Sequence, residues 1–172
     1  MSFEIPVIET ERLILRAPGM QDFEPLCAYF QDPRSRYNGG PAEPLDVGRM
    51  LMIGLGQWHL RGHGQWHITL KGDDTFIGFA GIFHPLDWPE PELGYAVTAE
   101  HEGKGIAHEA AMAARQAAAT HLGLYHLPSF IAPDNARSQA LALRMGAVRE
   151  PDITLRNKVA TVYRHPIPEA AA

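Results

Sequence analysis

The sequence is poor in the features that would assign it quickly to a class. It has a single cysteine, Cys27, in 172 residues, which rules out an internal disulfide and a multi-thiol metal site. A reducing cytoplasm is the expected compartment. No run approaches the ~18 consecutive apolar residues of a membrane span. Residues 1–16 carry acids where a signal peptide has a basic start and an apolar core, so neither export nor a membrane partner is expected. Positive charge is scarce: Lys plus Arg total 15 against 20 Asp plus Glu, a formal charge of −5. That balance argues against nonspecific nucleic-acid binding, which needs a basic footprint. No internal repeat suggests a solenoid, and no linker stands out; Asn38-Gly39-Gly40-Pro41 reads as a flexible loop. What is there is 45% hydrophobic. The length suits one domain over 1–172 that folds without metal or disulfide, with 166–172 as a frayed tail.

Periodicity then orders the chain. Arg12 to Arg16 is rich in β formers and reads as a strand. Asp22 is a helix N-cap, with Pro25 in the first turn and Leu26, Cys27, Tyr29 and Phe30 as the buried stripe. A second helix runs from about Leu45 to Leu60 despite its glycines. Gln65–Lys71 and Thr75–Phe83 are strands around a Gly72-Asp73-Asp74 turn, and Glu92–Val97 is a further strand. The strongest helix spans about Gly103 to Leu122, and its interior is mostly alanine, the best helix former. A short strand at Ser129–Ala132 is followed by a helix from Asn135 to Met145 that stops at Gly146. Strands at about Asp152–Leu155 and Val159–Arg164 finish the chain. The order predicts an α/β (α+β) fold: a mixed, mostly antiparallel sheet with helices on both faces.

The most informative run is Glu102-Gly103-Lys104-Gly105-Ile106-Ala107, at a strand-to-helix junction. Its glycines permit backbone conformations closed to other residues. Amides there, with the free N–H groups and positive dipole end of the helix, suit a phosphate or pyrophosphate. It is not a Walker loop, since Gly105 follows Lys104 where Ser or Thr is needed. Nor is it a dinucleotide fingerprint: His108 holds the place of the third glycine, and several strands precede it.

Four stretches in register resemble the GNAT N-acetyltransferases, in their RimJ/RimL-like branch. They are Thr10–Arg16, Ile77–Ile82, Glu92–Val97 running into Gly103–Ala107, and Pro133–Ser138 running into Arg144–Ala147. Together they cover about residues 8 to 165. The resemblance implies acetyl-CoA as cosubstrate and no metal. It implies that the Glu102, Gly103, Lys104, Gly105, Ile106 and Ala107 backbone holds the CoA pyrophosphate. It also implies that Ala96 and Val97 pair with the pantetheine arm and that Asn135 hydrogen-bonds it. Two departures stand out. Glu102 replaces the usual Gln or Arg, so its carboxylate is expected to turn away from the anion. Ala142 stands where many members carry the tyrosine that protonates the leaving thiolate.

Acetyl transfer needs an amine freed of its proton, a stabilised oxyanion and a leaving thiolate. Glu92 is the candidate base: period two places it with Gly94 and Ala96 on one face of its strand. An exposed strand-end glutamate or an ion pair is the alternative. Ser138 is the candidate acid, which the resemblance puts beside the thiol; the alternative is a helix-start serine bonding backbone. His59, His63 and His67 do not align on one helix, because Gly62 and Gly64 intervene and His67 falls on a strand. His101 and His108 flank the loop, and Trp88 is placed either in packing or along the acceptor pocket. The reading is an acetyl-CoA-dependent N-acetyltransferase acting on a primary amine: a protein N-terminus, an amino acid or a small-molecule amine. The alternative is a noncatalytic acetyl-CoA-binding or sensing module. Oligomeric state stays open, dimers being common among similar proteins.

Overall fold

A computed structural model describes residues 4–168. Its strands are β1 (Ile8–Glu9), β2 (Leu13–Arg16), β3 (Gln65–Leu70), β4 (Asp73–Phe83), β5 (Glu92–Val97), β6 (Pro128–Ile131), β7 (Val148–Leu155) and β8 (Lys158–Arg164). The helices are α1 (Phe23–Gln31), α2 (Pro44–Arg61), α3 (Ile106–Leu122) and α4 (Ala136–Arg144). The expected α/β architecture is present, and every hydrogen-bonded strand pair among the described residues is antiparallel. The strands divide into two sheets: β1-β2-β3-β4-β5, and β6-β8-β7. Neighbouring edges β5 and β6 share no ladder, and that gap shapes the site.

Helices cover both faces of the larger sheet. Leu13, Leu15, Trp66, Ile68, Ala80 and Ile82 meet Ile106, Ala110, Ala114 and Ala117 of α3. On the other face Phe76 and Phe79 meet Leu26 and Phe30 of α1 and Val47 and Leu51 of α2. Each of the Leu, Ile, Val and Phe side chains among them contributes about 1.5–3 kcal/mol by leaving water, and each alanine methyl less. The alanines of α3 let its backbone lie close to the sheet. In β4 the register slips opposite Ile68–Leu70, so strict alternation fails there: Ile77 joins the α3 core while Phe76 and Phe79 join the other.

Several boundaries move for physical reasons. Asp22 stands at the N-cap position of α1 but makes no side-chain cap. Its carboxylate is fully buried and accepts two bonds from Arg16, at 2.6 and 2.9 Å, one from Gly19 N–H at 3.0 Å, and a contact from His67 Nδ1 at 2.7 Å. Burial alone would raise its pKa; the bonds from Arg16 and His67 outweigh it and hold it below the usual carboxylate range. Helix α3 starts at Ile106, not Gly103, because residues 102–105 form a turn with Gly103 and Gly105 left-handed. Strand β7 begins at Val148, well before Asp152, and carries a register shift between Glu150 and Ile153, around Pro151. The Asn38–Pro41 loop is tied down: Asn38 donates to Tyr29 Oη at 2.7 Å and Gly40 N–H to Ser35 O at 3.0 Å. Of the expected tail, Pro168 is buried and 169–172 lie outside the described residues.

Candidate active site

A cleft of about 930 Å³ opens where β5 and β6 part. Glu92, Ala96, Val97, Glu102, Gly103, Gly105, Ala107, Asn135 and Ser138 all line it. Lys104 and Ile106 stand outside the lining: Lys104 is exposed and the Ile106 side chain is buried in the α3 core. Ile106 still matters through its backbone. Glu109 N–H makes the first helical bond of α3, to Gly105 O at 3.0 Å, so the N–H groups of Ile106, Ala107 and His108 have no intrahelical acceptor. Gly103 at φ 71° and Gly105 at φ 77° make the turn that brings them to the cleft. Glu102 is drawn towards cations: its carboxylate pairs with Arg137 at the start of α4 and lies 4.0 Å from Arg34. His101 and His108 also line the cleft.

Strand β5 contributes an edge and two faces. Among the described residues it pairs only with β4, leaving its other edge towards the cleft as a template for an extended ligand. Ala96 packs with the α1 and α2 core, and parity puts Glu92 and Gly94 on that same face. Tyr95 and Val97 pack on the α3 side.

Glu92 is buried, not an exposed strand end. Its oxygens accept from Trp88 Nε1 at 2.9 Å and from Phe130 N–H in β6 at 2.8 Å. Burial pushes its pKa up to about 7, and the two neutral N–H donors pull only weakly the other way. A carboxyl that exchanges its proton near neutrality suits acid–base work. Trp88 stands behind it, edge-on to Phe83 and stacked under the Arg156 guanidinium; it is Glu92's hydrogen-bond donor and not a cleft wall.

Across the cleft, Asn135 caps α4 by accepting from Ser138 N–H at 3.3 Å. The Ser138 hydroxyl donates to Tyr95 Oη at 3.3 Å, and Tyr95 donates to Ser138 O at 3.1 Å. Burial pushes the Tyr95 phenol up to about 12. Tyr95 as a partner of Ser138 was not legible in the sequence, because strand parity says which face it takes but not which helix lies over it. Ala142 is fully buried against Ile131 and Tyr163. Among the described residues no group of three or more His, Cys, Asp or Glu is placed to hold a metal. His63 instead stacks on His84 at 5.6 Å, and His67 serves Asp22. No helix among the described residues is long and apolar enough to cross a membrane.

A split sheet, a glycine turn at a helix start and a buried carboxyl on β5 thus meet at one cleft. The acetyltransferase (GNAT) domain family matches residues 12–148, and the chain belongs to that family of N-acetyltransferases. It is similar to the uncharacterized N-acetyltransferase YoaA of Bacillus subtilis, 31% identical over 150 residues and 84% of each chain. It is also similar to an acetyltransferase crystal structure from Agrobacterium tumefaciens, with 37% identity, 96% of each chain covered and a TM-score of 0.86. RimL, a ribosomal L7/L12 alpha-N-protein acetyltransferase solved with coenzyme A, shares the fold at 17% identity and a TM-score of 0.76, over 97% of this chain and 100% of that one.

Proposed function

We propose that this chain, as one N-acetyltransferase domain, moves the acetyl group of acetyl-CoA to a primary amine by direct attack in a ternary complex. The carrying observation is that Glu92, buried and raised to about 7, lines the same cleft as the Gly103–Gly105 turn. The residues fit the cosubstrate. Free N–H groups at the start of α3 suit a pyrophosphate, and the unpaired β5 edge at Ala96 and Val97 suits the pantetheine amides. Acetyl-CoA supplies an activated thioester.

Glu92 takes the amine's proton, directly or through a water. Being on the α1 and α2 face of β5, it assigns the acceptor to that side, where Tyr29, Tyr37 and Asn38 line the cleft. Ser138, beside Tyr95 on the opposite face, holds a proton for the departing sulfur. Base and acid thus act from two sides of one strand. The acceptor class is a protein N-terminus, an amino acid or a small-molecule amine. Support for this comes from the family membership and from the chemistry of Glu92. The test is CoA release from acetyl-CoA over a panel of α-amino and ε-amino acceptors. Turnover with at least one amine, abolished by omitting it, is expected. Tight acetyl-CoA binding with no amine-dependent release over the panel would instead favour a noncatalytic acetyl-CoA-binding module.

A further inference from the structure

Behind the glycine turn lies a network that the chemistry above does not use. Its members come from distant parts of the chain: Arg12 and Glu109 are 97 residues apart in sequence. Glu109, in the first turn of α3, accepts through Oε1 from Thr10 Oγ1 at 2.6 Å and from Arg12 N–H at 2.9 Å. Through Oε2 it accepts from Arg12 Nε at 2.7 Å. So held, the guanidinium donates from Nη1 to the Lys104 carbonyl at 2.9 Å. It lies against the loop, for a Cβ added to Gly105 would stand 3.4 Å from Arg12 Nη2.

The planar trans peptide turns this contact into a directional device. Its C=O and N–H point opposite ways. Fixing the Lys104 carbonyl on Arg12 therefore fixes the Gly105 N–H in the other direction, away from the guanidinium. Without the bond, this glycine-flanked peptide is free to rotate and present its carbonyl lone pairs to an anion. Glu109 balances the charge of Arg12, so what reaches the loop is orientation more than net positive potential. The network also ties the β1–β2 turn to a loop distant in sequence.

We propose that Arg12, clamped by Glu109 and Thr10, is a positioning residue that aims the Lys104–Gly105 peptide at the pyrophosphate of acetyl-CoA. This rests on the reading of the Gly103–Gly105 loop as the pyrophosphate holder. A lysine cannot replace the fork: its single ammonium cannot serve Glu109 and the Lys104 carbonyl in this geometry.

Two donors separate the possibilities: acetyl-CoA, and S-acetylpantetheine, which has no pyrophosphate. Wild type should use acetyl-CoA at much the lower KM. Arg12→Lys should raise KM for acetyl-CoA about tenfold, the order of one hydrogen bond to a charged group, with kcat within twofold. Its KM for S-acetylpantetheine should not move. Glu109→Gln, which loses the Nε anchor, should show the same split more weakly. Thr10→Ser should retain the acetyl-CoA affinity that Thr10→Val loses. Equal KM losses on both donors, or a fall in kcat on both, in variants that melt as cooperatively as wild type, would reduce the network to scaffold and overturn the proposal. Equal use of the two donors by wild type would overturn the loop assignment itself, and the proposal with it.

Discussion

Glu92 is a buried carboxyl in the cleft, held by two N–H donors and, among the described residues, no cation. Its carboxyl is raised because burial outweighs two neutral N–H donors. The folded protein keeps this proton up to about pH 7 while the unfolded chain loses it near the ordinary value of 4.5, so between those values Glu92 makes folding less favourable as pH rises. Catalysis should have the opposite sign, since Glu92, as the proposed base, must be ionised. The rate with a given amine should climb through about pH 7, and Glu92→Gln should remove that limb and lower kcat by about 10²–10⁴-fold. The loss should shrink as pH approaches the amine's own pKa. It should therefore be smaller for an α-amine, near 7.7–8.0, than for a lysine-like amine near 10.4. Ser138→Ala should cost less, because a thiol with a pKa near 8.5 gains little from early protonation at pH 8. The measurement is a pH–rate profile of both variants on one acceptor of each kind. Equal, pH-independent losses on both acceptors would make Glu92 a support and not a base. Strand parity made its position legible in the sequence. Its burial was not, because that depends on Trp88 and Phe130, which reach it from a loop and from the other sheet.

The glycine turn before α3 shows how far local sequence goes at the scale of elements. Alanine content identifies the helix and glycines mark the junction, yet the expected start lies before the turn. Helix propensity does not say that Gly103 and Gly105 are both left-handed. Long-range contacts explain the other misplacements. Asp22 has the chemistry of a cap but meets Arg16 and His67, one from the preceding strand and one from β3, and the Arg16 charge with the two buried contacts outcompetes a local cap. In β7, Pro151 hides the strand's first half, which the β8 ladder holds on either side of the irregularity. The turn itself gives a graded prediction. A side chain at φ 77° costs roughly 1–3 kcal/mol, below the ~5–15 kcal/mol stability of a typical domain. Gly105→Val, branched at Cβ and directed at Arg12, should stay folded and lose most acetyl-CoA affinity. Gly103→Ala carries the same kind of backbone strain at φ 71° but its methyl meets open space, so it should lose less. Titration calorimetry with acetyl-CoA reads both; unchanged affinity in folded Gly105→Val would contradict the loop assignment.

For the molecule as a whole, the decisive feature is that the two sheets meet without a ladder between β5 and β6. Side chains join them instead. Glu92 takes Phe130 N–H, Ser129 Oγ donates to Leu93 O at 2.6 Å, and Arg164 reaches Glu90 on the β4–β5 loop at 2.7 Å. The sequence predicts one sheet because element order cannot reveal a missing row of hydrogen bonds. That missing row is also where the proposed pantetheine arm would pair, so binding should complete the seam. A ligand at 100 times its Kd adds about 2.7 kcal/mol to the folded state. At roughly 2–4 °C per kcal/mol for a chain of this size, saturating acetyl-CoA should raise Tm by about 5–10 °C. ATP, which lacks the pantetheine arm, and NAD should do less at equal concentration. The gain should also be local. Amide exchange should slow most in β5, β6 and the first turn of α3, which flank the gap, and least in β1 to β3, which are already paired. Thermal melts with each nucleotide and exchange with and without acetyl-CoA make the comparison. A Tm unmoved by acetyl-CoA would remove the cofactor reading, whereas a rise with uniform protection would place the ligand elsewhere than between the sheets.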